Sequence, residues 1–156
     1  MATSSIPSTI DYLVAQIAAL PECAAPCTVH DGFPAATGNP AVAIGVVPFE
    51  DGNTPNEVVH AQLGAQMEWE TYNVPCVVSS WVGGGDEAAK PARDAAFTIY
   101  DAIVTKVRAD RTLGGSLHSG AAIVTQTRVD QTVTAEEAGE GRSCSIAFVV
   151  QCKNRF

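Results

Sequence analysis

A change of hydrophobic period inside one stretch limits what this chain can fold into. From Ala92 to Val107 the apolar residues Ala92, Ala96, Ile99, Ile103 and Val107 recur at spacings of three and four. Ala95, Tyr100 and Val104 widen the stripe, while Arg93, Asp94, Asp101, Lys106 and Arg108 fall largely outside it. That pattern predicts an amphipathic helix with one face to bury. Gly114 and Gly115 stop it, and Lys106, Arg108 and Arg111 stand where the negative helix end favours cations. Beyond the glycines the period becomes two. Cys144, Ile146, Phe148, Val150 and Cys152 share one side of a closing strand, with Ser143, Ser145, Gln151 and Lys153 mostly on the other. A stretch carrying Ile123 and Val129 is its partner. The helix needs cover for its stripe and the hairpin needs cover for its apolar face, so the two are expected to pack together. The acidic, glycine-containing segment Thr134–Arg142 reads as a long loop projecting from the sheet.

The first half adds the rest. Ile6, Ile10, Leu13, Val14, Ile17 and Leu20 follow helical spacing, with Pro7 near the first turn. Cys27–His30 reads as a short strand, and Ala41–Val47 as an apolar strand covered on both faces. The loop Pro48–Glu57 follows, and Glu57–Gln66 fits neither period. Met67–Val82 is strand-like, with Trp69, Tyr72 and the β-branched Val74, Val77 and Val78. Pro75 there implies an edge position or a bulge. The expected fold is α+β: a mainly antiparallel sheet with two helices packed on one face, in a single domain spanning residues 1–156.

Composition excludes several classes. At 46% hydrophobic and 17% charged residues the chain is neither disordered nor fibrous. Residues 1–89 hold ten Asp/Glu and no Lys/Arg, whereas residues 90–156 hold nine Lys/Arg and seven Asp/Glu. Clustered cations of the kind that grip nucleic-acid phosphates are missing, which argues against a DNA-binding module. The asymmetry permits head-to-tail self-association, an acidic surface meeting a basic one on the next copy, and equally permits acids scattered singly over a solvated surface. The apolar run at residues 12–20 follows Asp11 and no Lys or Arg, unlike an export signal, and no run approaches membrane-spanning length. A cytoplasmic site of synthesis is therefore expected. Five cysteines, an odd number, fit that compartment as small buried hydrophobes.

Candidates for chemistry are few. Cys23, Cys27 and His30 have zinc-like density, with Cys76 or His60 to complete a set, but the spacing matches no standard finger. Cys76 beside Pro75 and Val77 reads as a core strand position rather than a nucleophile. His118 reads as a turn residue. Gly83-Gly84-Gly85 before a helix suggests an anion site, yet Asp86 and Glu87 occupy that first turn and repel anions. Glu68 and Glu70 share a strand face, read as solvated or as a contact with basic residues of a neighbouring copy. No catalytic, cofactor-binding or metal-binding residue is assigned.

In order along the chain, Val29-His30-Asp31-Gly32 precedes the apolar run Ala41–Val47, and Glu70-x-Tyr72-x-Val74-x-Cys76-Val77-Val78 precedes a glycine turn. Ala92–Ala96 (ARDAA), Asp110–Gly115 (DRTLGG) and the closing Ala147–Val150 (AFVV) follow. This series resembles the tail terminator, or tail completion, proteins of long-tailed bacteriophages, including minor tail proteins of actinobacterial phages. The resemblance spans residues 14–156 and rests on packing and turn signals in sequence. It implies a small structural subunit, not an enzyme, that closes into a ring, typically a hexamer, on the head-proximal end of the tail tube. The ring stops tube polymerisation and presents a surface to the head–tail connector. Its implied partners are its own copies, the tail tube protein and the connector, with DNA passing through the channel without specific binding and no membrane involved. Its implied location is the neck of the virion, after assembly in the host cytoplasm.

The subunit or partner contacts expected from charge are Glu68, Glu70, Arg93, Arg108, Arg111, Glu136, Glu137 and Arg142. The competing readings are another head–tail neck component and, in a different class, a small cytosolic thiol or metal enzyme using Cys76 or the Cys23/Cys27/His30 group. A ligand-binding domain with an apolar pocket is a third.

Overall fold

The computed structural model describes residues 4–32, 34, 38–45, 59–62, 68–136 and 139–155. Among them are two helices, α1 (Ile6–Ala18) and α2 (Ala89–Ala109). The strands are β1 (Thr28–Asp31), β2 (Ala41–Ile44), β3 (Val59–Gln62), β4 (Glu68–Gly83), β5 (Ala121–Glu136) and β6 (Gly139–Arg155). The six strands form one sheet in the order β1-β2-β4-β6-β5, with β3 also paired to β4. β1 and β2 run parallel and every other pairing is antiparallel, so the sheet is mixed but mostly antiparallel.

β4 and β6 form the spine, in register from Trp69↔Arg155 to Gly83↔Gly141. Their alternation is what builds the core. Tyr72, Val74, Cys76 and Val78 of β4 and Cys144, Ile146, Phe148, Val150 and Cys152 of β6 are all buried. The helical stripe answers them: Ala92, Ala96, Ile99, Ile103 and Val107 are buried along with Val104. Tyr100 sets its ring edge-on against Phe148, centroids 5.3 Å apart. Each such fully covered aliphatic or aromatic side chain contributes about 1.5–3 kcal/mol relative to leaving it in water. α1 adds Leu13 and Ile17 to the same cluster.

Pro75 lies within β4 without breaking it. β2 pairs with residues 76–79 and β3 with residues 68–71, and just past β2 the Gly45 N–H donates to the Pro75 carbonyl (2.8 Å), so the side of Pro75 that lacks an N–H faces the end of β2 and not β6. The missing N–H of proline costs the ladder with β6 nothing there.

Three sequence expectations change. Thr134–Arg142 is not a projecting loop: Thr134↔Gly141, Ala135↔Glu140 and Glu136↔Gly139 are strand pairs. Glu140 is tolerated there because it is exposed, and Gly141 because it packs under the Trp81 indole, where a Cβ would lie 2.3 Å from the ring. The strand expected at Ala41–Val47 ends at Ile44, with Gly45 in a left-handed turn (φ 77°), and residues 46–58 lie outside the described set. Glu57–Gln66, unassigned by period, contains β3.

Candidate assembly surfaces

The charged residues singled out by sequence separate into three groups. Glu70 is fully buried, which corrects the expectation of a solvated or intersubunit carboxylate. It sits beneath the start of α1 and accepts hydrogen bonds from the Ser5 N–H (2.9 Å), the Ser5 hydroxyl (2.7 Å) and the Ser4 hydroxyl. A carboxylate at a helix N-terminus meets both the free N–H groups and the positive end of the helix dipole. Glu70 thus supplies from the sheet the cap that α1 lacks in its own first turn, where no acid is present. The Tyr72 hydroxyl extends the network to Thr9 (2.7 Å) and Ser5 (3.0 Å). Asn154, opposite Glu70 on β6, is buried with neither end of its amide hydrogen-bonded.

Arg142 forms a second group. Its guanidinium reaches Asp86 (2.8 Å) and Glu140 (2.9 Å), with only 13% of the side chain exposed. Those two carboxylates raise its pKa further. It ties the far end of the hairpin to the start of α2, where the Gly84 N–H also donates to the Glu140 carbonyl (3.0 Å). Arg142 is therefore committed within the chain. Around it Asp86, Glu87 and Glu140 stand exposed. Hydrogen bonds from the backbone N–H groups of Glu87 and Gly85 hold the Glu87 carboxyl below its usual range.

The third group is the cations of α2. Arg93 is half-exposed and 3.8 Å from Asp94, which is itself paired with Lys90. Arg108 and Arg111, beyond the last buried turn, are exposed and make no ion pair among the described residues. A helix of 21 residues is about 31 Å long. The acids at its start and the free cations at its end are thus held apart by a rigid rod. The side chains of Glu68 and Glu136 are not described, though their backbones lie in β4 and β5, and Glu137 is outside the described residues.

The end of α2 is also where a device missed by sequence reading lies. Asp110 folds the turn that follows, accepting from the Gly114 N–H (2.8 Å), the Thr112 N–H (3.2 Å) and the Thr112 hydroxyl (2.8 Å). The Tyr12 hydroxyl of α1 donates to it as well, at 2.8 Å. Tyr12 and then Thr112 and Gly114 hold its carboxyl down at about 2. Burial, and then Asp110, push the Tyr12 hydroxyl up to about 12. The turn needs this support, because Leu113 is fully buried in a left-handed conformation (φ 51°) that costs a branched side chain free energy.

Of the groups with chemical potential, Cys23 and Cys27 lie together, their thiols within hydrogen-bonding range of each other. All five cysteines are buried and free. Burial raises every thiol, Cys23, Cys76 and Cys152 to about 12. Those thiols are poor nucleophiles at neutral pH. His30 contacts the Thr28 hydroxyl (2.9 Å) at a strand end, and His118 lies in the exposed turn after α2. No three His, Cys, Asp or Glu residues gather to hold a metal among the described residues. A shallow depression of about 650 Å³ lies between the Pro21–Cys23 turn and α2, with Glu22, Asp101 and Lys106 as its charged groups. No helix among the described residues is long and apolar enough to cross a membrane.

Compared with known proteins, the chain matches no family model and no curated sequence.

Proposed function

We propose that the chain is a structural virion protein, a tail terminator that rings the head-proximal end of a phage tail tube and joins it to the head connector. The observation that carries this reading is the charge polarity along α2: exposed Asp86, Glu87 and Glu140 at one end, three carboxylates against the one guanidinium of Arg142, and unpaired Arg108 and Arg111 at the other. Two different patches on one subunit are what a closed ring requires, since each copy offers one patch forward and the other back. Complementary charge also steers the copies into one relative orientation. The acidic partner surface is now the start of α2 and the far end of the hairpin, in place of Glu70.

In this reading the two helices share one side of the sheet. Ser5 and Thr9 of α1 meet Glu70 and Tyr72. Tyr100 of α2 meets Phe148. Tyr72 pairs with Cys152 and so lies on the Phe148 side of the sheet. The opposite side, with Trp69, Val77, Trp81, Gln151 and Lys153, is then left for neighbours or the channel. A net charge of −8 lets DNA pass without adhering.

The test is binding to purified neck and tail components, read by native mass spectrometry and negative-stain microscopy. The proposal expects a closed ring seated on one end of the tail tube. Binding to portal and not to tube would assign the chain to the head side of the neck instead.

A further inference from the structure

We propose that two copies of this chain pair along the outer edges of their β5 strands, antiparallel, about a two-fold axis at Gln131. β5 ends the sheet, so among the described residues no strand lies beside its outer edge. The three exposed large hydrophobic side chains among the described residues are all on this strand: Ile123 (40%), Val129 (41%) and Val133 (63%). Tyr100 of α2 meets Thr127, and beyond that contact the two valines stand uncovered. Native edges are usually blunted by Lys, Pro or a bulge. Here the one register shift lies at Thr125/Thr127, and the run Thr127–Glu136 that follows has neither Lys nor Pro, while two of its charges, Arg128 and Asp130, pair with each other (2.9 Å).

Edge length selects the occupant. β1 and β3, the other strands with a free side, are four residues each, and the gap between β2 and β3 along β4 is as short. No other edge among the described residues matches the run after the bulge, so the partner with an equal edge is β5 of a second copy. Closing on itself by a two-fold also leaves no new edge exposed.

Faces and charges then select the register. A two-fold pair sets residues of one face against residues of the same face, so each register has a residue at its centre. Centring on Arg128 or Asp130 sets like charges opposite each other. Centring on Val129 runs Val133 into the bulge. Centring on Gln131 places Val129 beside Val133 of the second copy, twice, and uses the strand from Thr127 to Ala135. The two-fold pair takes the edge of β5 and the ring takes the ends of α2, so either can fail without the other.

A strand pair alone buries less than the roughly 1,200–2,000 Å² of a stable interface, so a concentration-dependent dimer, half-formed between about 10 and 500 µM, is expected. Sedimentation equilibrium on the full chain reads this directly, and a monomer throughout that range overturns the proposal. Register is read by cysteine cross-linking with oxidised glutathione, the five native thiols being buried. Opposed Cα atoms about 4.5–5.5 Å apart fall within disulfide reach. Gln131→Cys is expected to link to itself, and Val129→Cys only when mixed with Val133→Cys. Self-linking of Val129→Cys alone as fast as Gln131→Cys overturns the register. The double variant Val129→Lys/Val133→Lys, at exposed positions, is expected to weaken association at least tenfold, and an unchanged dimer refutes the edge contact.

Discussion

Replacing Asp110 by Asn tests whether the turn after α2 is held by one carboxylate. Its two oxygens accept four hydrogen bonds, Tyr12 and Gly114 on one and Thr112 twice on the other. An Asn side chain of the same shape keeps one oxygen and presents donors in place of the second. A fall in pKa from 3.8 to about 2 corresponds to about 2.4 kcal/mol, at about 1.36 kcal/mol per unit. Asp110 is only half-buried, so solvent screening reduces this to about 1–2 kcal/mol. The folded pKa is depressed, so the stabilisation is fully present above the unfolded value of 3.8 and is lost as pH falls through about 2. Urea unfolding of wild type and Asp110→Asn is therefore expected to differ by about 1–2 kcal/mol at pH 7. By about pH 3 the gap is expected to shrink to roughly half. A gap that stays constant from pH 7 to pH 2.5, or none at pH 7, would refute the assignment of the turn to Asp110.

Other consequences are equally open to measurement. Gly120→Ala would put a Cβ 1.6 Å from the Lys153 carbonyl oxygen, and backbone cannot yield as a side chain would. It is expected to cost more than about 3 kcal/mol by thermal unfolding, and a loss below about 1 kcal/mol would contradict that packing. Thiol titration of the native protein is expected to show no fast-reacting cysteine, with all five reacting after denaturation. A thiol reacting within seconds would revive the enzyme reading. Arg111→Glu, alone or with Arg108→Glu, is expected to lower ring formation at least tenfold while leaving the thermal midpoint within about 2 °C. An unchanged oligomer distribution would remove Arg111 from the interface.

Much of the fold was legible because burial repeats in sequence. The α2 stripe and the alternation of Cys144–Cys152 identify the buried face of each element residue by residue. The same counting would have placed Glu70 correctly: it is in phase with Tyr72, Val74, Cys76 and Val78, which are all buried. Polarity argued for solvent, and the serines that satisfy the carboxylate are 65 and 66 positions away, beyond any local pattern. The hairpin was misjudged for a related reason. Acids and glycines signal a loop only when no partner strand is counted, and the pairing of Thr134 with Gly141 is a register fact. The role of Asp110 was hidden in the same way, since Tyr12 lies 98 positions from it. Assembly surfaces are harder still, because an exposed charge looks the same in sequence whether or not a neighbour on the fold neutralises it. Arg142, held by Asp86 and Glu140, and Arg111, with no ion pair among the described residues, show the difference.

The central claim, that this subunit works by closing on a tail tube, is tested most directly by tube growth. Tail tube protein would be polymerised with and without the purified chain, and tube lengths measured by electron microscopy. The account predicts that growth stops, with a ring at one end of each arrested tube. Tubes that elongate equally in its presence, with both ends bare, would contradict it.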